Sequence, residues 1–262
     1  MAAGRGQDRG RSAAATDRLA PLFGVASLLA LWEVVGHLTA GGLVPFSAVA
    51  VAGAELFRAG ELWGPAATSL GRLAVGYGLA VAVGVPVGAA MGYADSADAL
   101  LSPSVRLLFV TSVASLLPLL LGTVGTGFGF YVVVVFLFAV FHVILTVRSG
   151  IASVSPGLVD AGRVFGADGR ATYRRVLLPA AVPHVAAALR IGATRAVKGM
   201  VVGELWVYAG FGSLLHGYQR YRQTDSALAV VLVLMLLSVG LVRLVGLAER
   251  RFAPWTAVAG ER

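Results

Sequence analysis

The chain has 262 residues, of which 58% are hydrophobic and only 13% charged, with a formal net charge of +8. That charged share is about half that of an ordinary soluble domain, so a soluble fold with one core and a polar coat is excluded. With no cysteine, disulfides, thiolate metal sites and cysteine nucleophiles are excluded too.

Residues 1–19 form a polar segment bearing Arg5, Arg9, Arg11 and Arg18. An apolar run follows, containing Trp32 and Glu33. It is too long for a cleaved signal peptide and reads as a retained first membrane span. The fold class expected is an all-α membrane protein of about six transmembrane helices. The spans fall near 20–39, 70–93, 106–122, 128–148, 182–208 and 226–247, each about long enough to cross ~30 Å of hydrocarbon. Residues 20–250 then form one transmembrane domain, and 251–262 a polar C-terminal tail. Between the first two spans, Val49, Leu56 and Leu62 predict a short amphipathic helix along the membrane surface. In the second span, Gly84, Gly88 and Gly92 share one helix face around Pro86, where another helix can approach closely. Fixed packing and a moving contact that gates a pathway both fit that face.

The polar stretch 148–180 carries Arg148, Arg163, Arg170, Arg174 and Arg175, which assigns it to the cytoplasm by the positive-inside rule. Counting spans outward places both termini there as well. Glu249-Arg250-Arg251 agrees with this topology, whereas Arg220 and Arg222 oppose it. Lys198 is the only lysine, and many arginines flank the apolar runs. The basic balance therefore reads as membrane orientation, not nucleic-acid binding.

Charges within spans are costly and point to function. Arg195 and Lys198 share a face of the fifth span, where they either snorkel to the cytoplasmic interface or meet an anionic substrate or another helix. Glu204 lies off that face, so an ion pair within the helix is not expected; it is a candidate for a pathway or external gate. His37, His142, His184 and His216 show no metal-ligand spacing, so no metal is expected. There is no phosphate-binding loop, since Lys198 is followed by Gly199.

The loop 155–179 has the most specific local chemistry. Ser155 is a good N-cap followed by Pro156 at the first helical position. Gly166 suits a left-handed helix end, and Asp168 caps a second short helix. Leu158, Ala161 and Phe165 form one apolar stripe, which either packs on the bundle or docks into a partner's groove.

Asp160-Ala161-Gly162, three residues, Gly166, nine residues, and then Val176-Leu177-Leu178-Pro179 resemble the EAA loop. That loop marks permease subunits of binding-protein-dependent ABC importers. Every spacing is kept, with Asp160 in place of Glu and Gly162 in place of the second Ala. The resemblance is nearest to the nitrate, sulfonate and taurine branch. It is carried there by Arg148-Ser149-Gly150, Leu189-Arg190, Val201-Val202-Gly203-Glu204, Gly125-Thr126-Gly127 and Pro118. Two positions depart from the branch: Val110-Thr111-Ser112-Val113-Ala114 stands where it has a proline cluster, and Thr123-Val124 where it has an aromatic pair.

The resemblance implies a multi-pass permease of a bacterial cytoplasmic membrane, conducting a small anionic solute. It would have no catalytic residues and no cofactor of its own, with ATP and Mg held by a separate ATPase. Two ATPase subunits, a second permease subunit (as a homodimer) and an extracytoplasmic binding protein are the implied partners. Leu158, Asp160, Ala161, Gly162, Phe165, Gly166, Val176, Leu178 and Pro179 form the implied coupling element. An ATP-independent six-span carrier or channel is the rival reading, although neither a selectivity motif nor a repeat with matched broken helices stands out.

Overall fold

The computed structural model describes residues 7–39, 42–155, 157, 164 and 178–252, and among them the regular structure is entirely helical. In chain order the helices are α1 (Gln7–Leu38), α2 (Phe46–Ala59), α3 (Trp63–Tyr93), α4 (Asp95–Val110), α5 (Val113–Val124) and α6 (Phe128–Ala152). After residue 177 come α7 (Leu178–Val207), α8 (Phe211–Arg220) and α9 (Thr224–Phe252).

Three of these helices are long and apolar enough to cross a membrane: α3, α6 and residues 224–244 of α9. The α4–α5 pair is apolar enough when taken together. The apolar part of α1 is the shorter Phe23–Leu38. α7 carries Arg190, Arg195, Lys198 and Glu204 along its length and is not among them.

α1 begins at Gln7, so the helix extends back into the polar N-terminal segment. α2 shows why its ends fall where they do. Pro45 at its N-cap has no side chain to offer the first turn. Glu33 of α1 supplies the missing acceptor, taking the Ser47 N–H at 2.9 Å and the Ser47 hydroxyl at 2.7 Å. A carboxylate at a helix N-terminus also meets the positive end of its dipole. At the other end Gly60 turns left-handed (φ 78°), and the N–H groups of Gly60 and Glu61 donate to Phe57 and Leu56. This is the glycine-closed helix end that no side chain with a Cβ adopts easily. Val49 and Leu56, with Ala52 between them, are buried in the protein core together with Val230 and Leu234 of α9. The amphipathic helix expected on the membrane surface thus turns its apolar face to α9. Small side chains allow the approach: a Cβ on Gly53 would lie 3.6 Å from Ala229.

The centre of the molecule is α3, α6 and α7. Gly76, Gly84, Gly88 and Gly92 of α3 meet, in that order, Val132 and Val135, Val140 and Val143, Ile144 and Val147, and Arg148 and Ile151 of α6. The two helices therefore run parallel. α7 runs antiparallel to α6: His184 lies over Gly150, Gly192 against Val143, Gly199 against Phe138 and Gly203 against Val134. At most of these glycines an added Cβ would sit under 3.0 Å from its neighbour, so the helices touch backbone to side chain.

One predicted span is corrected. The expected continuous helix over 106–122 is two helices, α4 and α5, bent by 94° at Thr111-Ser112. Both residues are extended, with ψ of 129° and 108°. Thr111 N–H still donates to Leu107 and closes α4, and Ser115 N–H donates to Ser112 and opens α5. Because α3 and α6 run parallel, the α4–α5 pair must carry the chain from the Gly92 end back to the Phe128 end. It is one bent crossing.

Candidate functional site

Three arrangements bear on function. The first holds the end from which the 155–179 loop departs. Arg148 of α6 grips Asp98 in the first turns of α4: Nε donates to Oδ1, and Nη2 donates to Oδ2 at 2.6 Å. This two-pronged fork is the strongest and most directional pairing open to a carboxylate. Two residues on, Gly150 leaves the space that the His184 side chain fills, since a Cβ there would lie 2.1 Å from the His184 Cβ. Ser153 Oγ is 3.4 Å from His184 Nε2. The Arg148-Ser149-Gly150 segment thus fixes where α6 ends relative to α4 and α7. Of the loop itself, Leu158, Asp160, Ala161, Gly162, Phe165, Gly166 and Val176 lie outside the described residues, while Leu178 and Pro179 open α7.

The second arrangement is a buried polar cluster at the opposite end of the bundle. Glu204 of α7 is 1% exposed. It accepts hydrogen bonds from the Ser69 hydroxyl, from Arg72 Nη1 at 3.4 Å and from the Phe211 N–H at 3.1 Å. Arg72 in turn lies 3.8 Å from the centre of the buried Tyr131 ring, a cation–π contact. The carboxylate joins α3, α7 and the start of α8, and Arg72 extends the cluster to Tyr131 of α6. The 208–210 turn is shaped around it. Gly210 has φ 57°, and a Cβ there would lie 2.5 Å from Glu204 Oε1. Glu204 is indeed not paired along its own helix; its partner comes from α3. The sequence reading gives Ser69, Arg72 and Tyr131 no role, although a lone arginine early in an apolar run was the available signal.

The third is a groove of about 330 Å³ at the α4–α5 bend, between α6 and α7, whose lining includes Thr111, Ser112, His142 and Arg195. Arg195 and Lys198 lie on the exposed face of α7. They do not join Glu204, which is turned into the bundle. Gly84, Gly88 and Gly92 belong to the α3–α6 seam, which Gly76 extends by two turns. Among the described residues no group of three or more His, Asp or Glu is placed to hold a metal.

A bundle of long apolar helices with a broken crossing defines a multi-pass membrane protein. The chain belongs to the family of binding-protein-dependent transport system inner membrane components, whose model matches residues 81–254. It is 30% identical over 197 residues to a probable ABC transporter permease protein of Brucella melitensis, covering 75% of this chain and 80% of that one. It is 29% identical over 210 residues to the taurine transport system permease protein TauC of Escherichia coli, covering 78% and 75%. With the bicarbonate transport system permease protein CmpB of Synechocystis it shares 23% identity over 252 residues, covering 91% and 90%. Among solved structures, the crystal structure of an amino acid ABC transporter with histidines has the same fold, with a TM-score of 0.60 at 21% identity. That match covers 75% of this chain and 97% of the other.

Proposed function

We propose that this chain lines the pathway of an ATP-driven importer for a small anionic solute of the sulfonate, taurine or bicarbonate kind, and is driven by a separate ATPase that grips the 155–179 loop. The observation that carries the reading is the spacing Asp160, Gly166, Leu178-Pro179 in the connection between α6 and α7 of a chain in this family. The Asp98–Arg148 fork and the Gly150–His184 contact support it, because a force applied to the loop needs a rigid attachment to the spans. Relatives named for taurine and bicarbonate transport support an anion, as do the two cations on the open face of α7.

In this reading two copies pair around the pathway, two ATPases bind below and an extracytoplasmic binding protein delivers the solute. Both termini and the 155–179 loop face the cytoplasm. Glu204 is a structural clamp and not a gate, since it is buried among its own helices.

Uptake of radiolabelled taurine, methanesulfonate and bicarbonate into cells expressing the full transporter tests this. At least one should accumulate in an ATP-dependent way that a deletion of this chain abolishes. Uptake of all three unchanged by the deletion would contradict the reading.

A further inference from the structure

The groove at the α4–α5 bend lies midway along the bundle and opens onto its surface, since Phe109, Ser112, Ala114 and Arg195 of its lining are all exposed. Arg195 and Lys198 lie in the stretch of α7 between Gly192 and Gly199, whose partners on α6 are Val143 and Phe138. That level is the middle of α6, the most apolar of the crossing helices. Measured along α7 at 1.5 Å per residue, Arg195 stands about 26 Å from one end and about 18 Å from the other. Arg195 is therefore far from both ends of the helix. Among the described residues no carboxylate pairs with Arg195 or Lys198, and Glu204 is already committed to Arg72. A cation at this depth facing only hydrocarbon is strongly disfavoured. This face of α7 must instead meet water and polar groups.

The groove supplies them. Ser112 is exposed, and its hydroxyl makes no capping bond to α5. Val113 and Ala114 also line the groove, so the first turn of α5 opens onto it with N–H groups that have no helical acceptor. His142, packed edge-on against Phe109 at 4.9 Å between ring centres, lines the groove with Ser112 and Arg195. A broken crossing, a helix N-terminus and an unpaired cation converge on one cavity.

We propose that this groove is an anion-selecting station midway along the pathway, in which Arg195 supplies the charge, and Ser112 and the α5 N-terminus the hydrogen-bond donors, for a compact oxyanion head group such as a sulfonate or carbonate. The assignment rests on the reading of the chain as a conduit for anions and names where the selection is made. Lys198 adds attraction along the same face. Where the branch has its proline cluster, this chain has Ser112 with a hydroxyl to offer, while the Thr111 hydroxyl is held by the Leu107 carbonyl.

The absence of cysteine gives a direct test, because Ser112→Cys creates a unique thiol in the full-length protein. In membranes holding the assembled transporter, its rates of modification by the anionic sulfonatoethyl and the cationic trimethylammonioethyl methanethiosulfonates are compared. Each rate is normalised to that of a free thiol. A ratio favouring the anion by about tenfold is expected, slowed by added methanesulfonate, lost in Arg195→Gln and kept in Arg195→Lys. No reaction with either reagent, a ratio near one, or an anion preference unchanged by Arg195→Gln would overturn the proposal. ATPase co-purification, measured on the same membranes, separates the two readings. Retained ATPase with an unreactive groove removes only the station. Lost ATPase with a preserved anion preference removes only the ATP-driven importer.

Discussion

Glu204 shows how much one residue's meaning depends on neighbours remote in sequence. Alone in an apolar helix it suggests a gate; with Ser69, Arg72 and the Phe211 N–H around it, it is the bond that ties α3, α7 and α8 together. Removing one partner of a buried pair leaves an uncompensated charge, which costs about 3–5 kcal/mol. Glu204→Ala should therefore lower the midpoint of thermal unfolding in detergent sharply, read by fluorescence-detected size exclusion. The double variant Arg72→Met with Glu204→Met should recover much of the loss, since no lone charge remains. If Glu204→Ala were as stable as the parent, the clamp would be refuted. Gly210→Ala should act on the same cluster, straining a left-handed backbone and pressing a methyl group on the carboxylate. The partners were not legible because a sequence shows which charges lie in spans, but not which distant helix faces which. Arg72 and Glu204 are both visible as intramembrane charges, and only the register of α3 and α7 on α6 brings them together.

At the level of elements, spacing was the most legible signal. Glycines every fourth residue in α3 read as a close helix contact, and the structure places them against α6. Gly88→Val should force the helices apart, because even a Cβ would sit 2.5 Å from the Ile144 carbonyl oxygen. A loss of folded protein is expected. Gly78, on the same helix with nothing within 4 Å of its Cβ position, serves as the control. Gly78→Ala should be neutral or stabilise by about 0.5–1 kcal/mol. Equal effects at the two positions would show that helix propensity and not the seam sets the response. The α4–α5 bend was not legible. Val110-Thr111-Ser112 carries neither Gly nor Pro at the break, and apolar composition continues across it, so hydropathy reads one span. Nor does composition show that the face of α2 is met by α9, since an amphipathic stripe fits lipid or protein equally well.

For the whole molecule, the order of crossings follows from two registers: α3 parallel to α6, and α7 antiparallel to it. The 155–179 loop leaves the bundle at the end where Asp98, Arg148, Gly150 and His184 lock α4, α6 and α7 together. Motion imposed on the loop would pass to all three helices at once. Asp98→Asn should keep the fold and weaken this lock, so that ATP hydrolysis continues while solute uptake falls severalfold; uptake and hydrolysis falling in equal proportion would argue against such a lock. The central claim is that the loop engages a separate ATPase, and co-purification of that ATPase with the wild-type chain and with Gly166→Arg tests it most directly. Wild type is predicted to retain the ATPase through gentle detergent extraction, and Gly166→Arg to lose it while still inserting and folding in the membrane. Equal retention by both would contradict the coupling role of the loop, and no retention by either would contradict the ATP-driven mechanism itself.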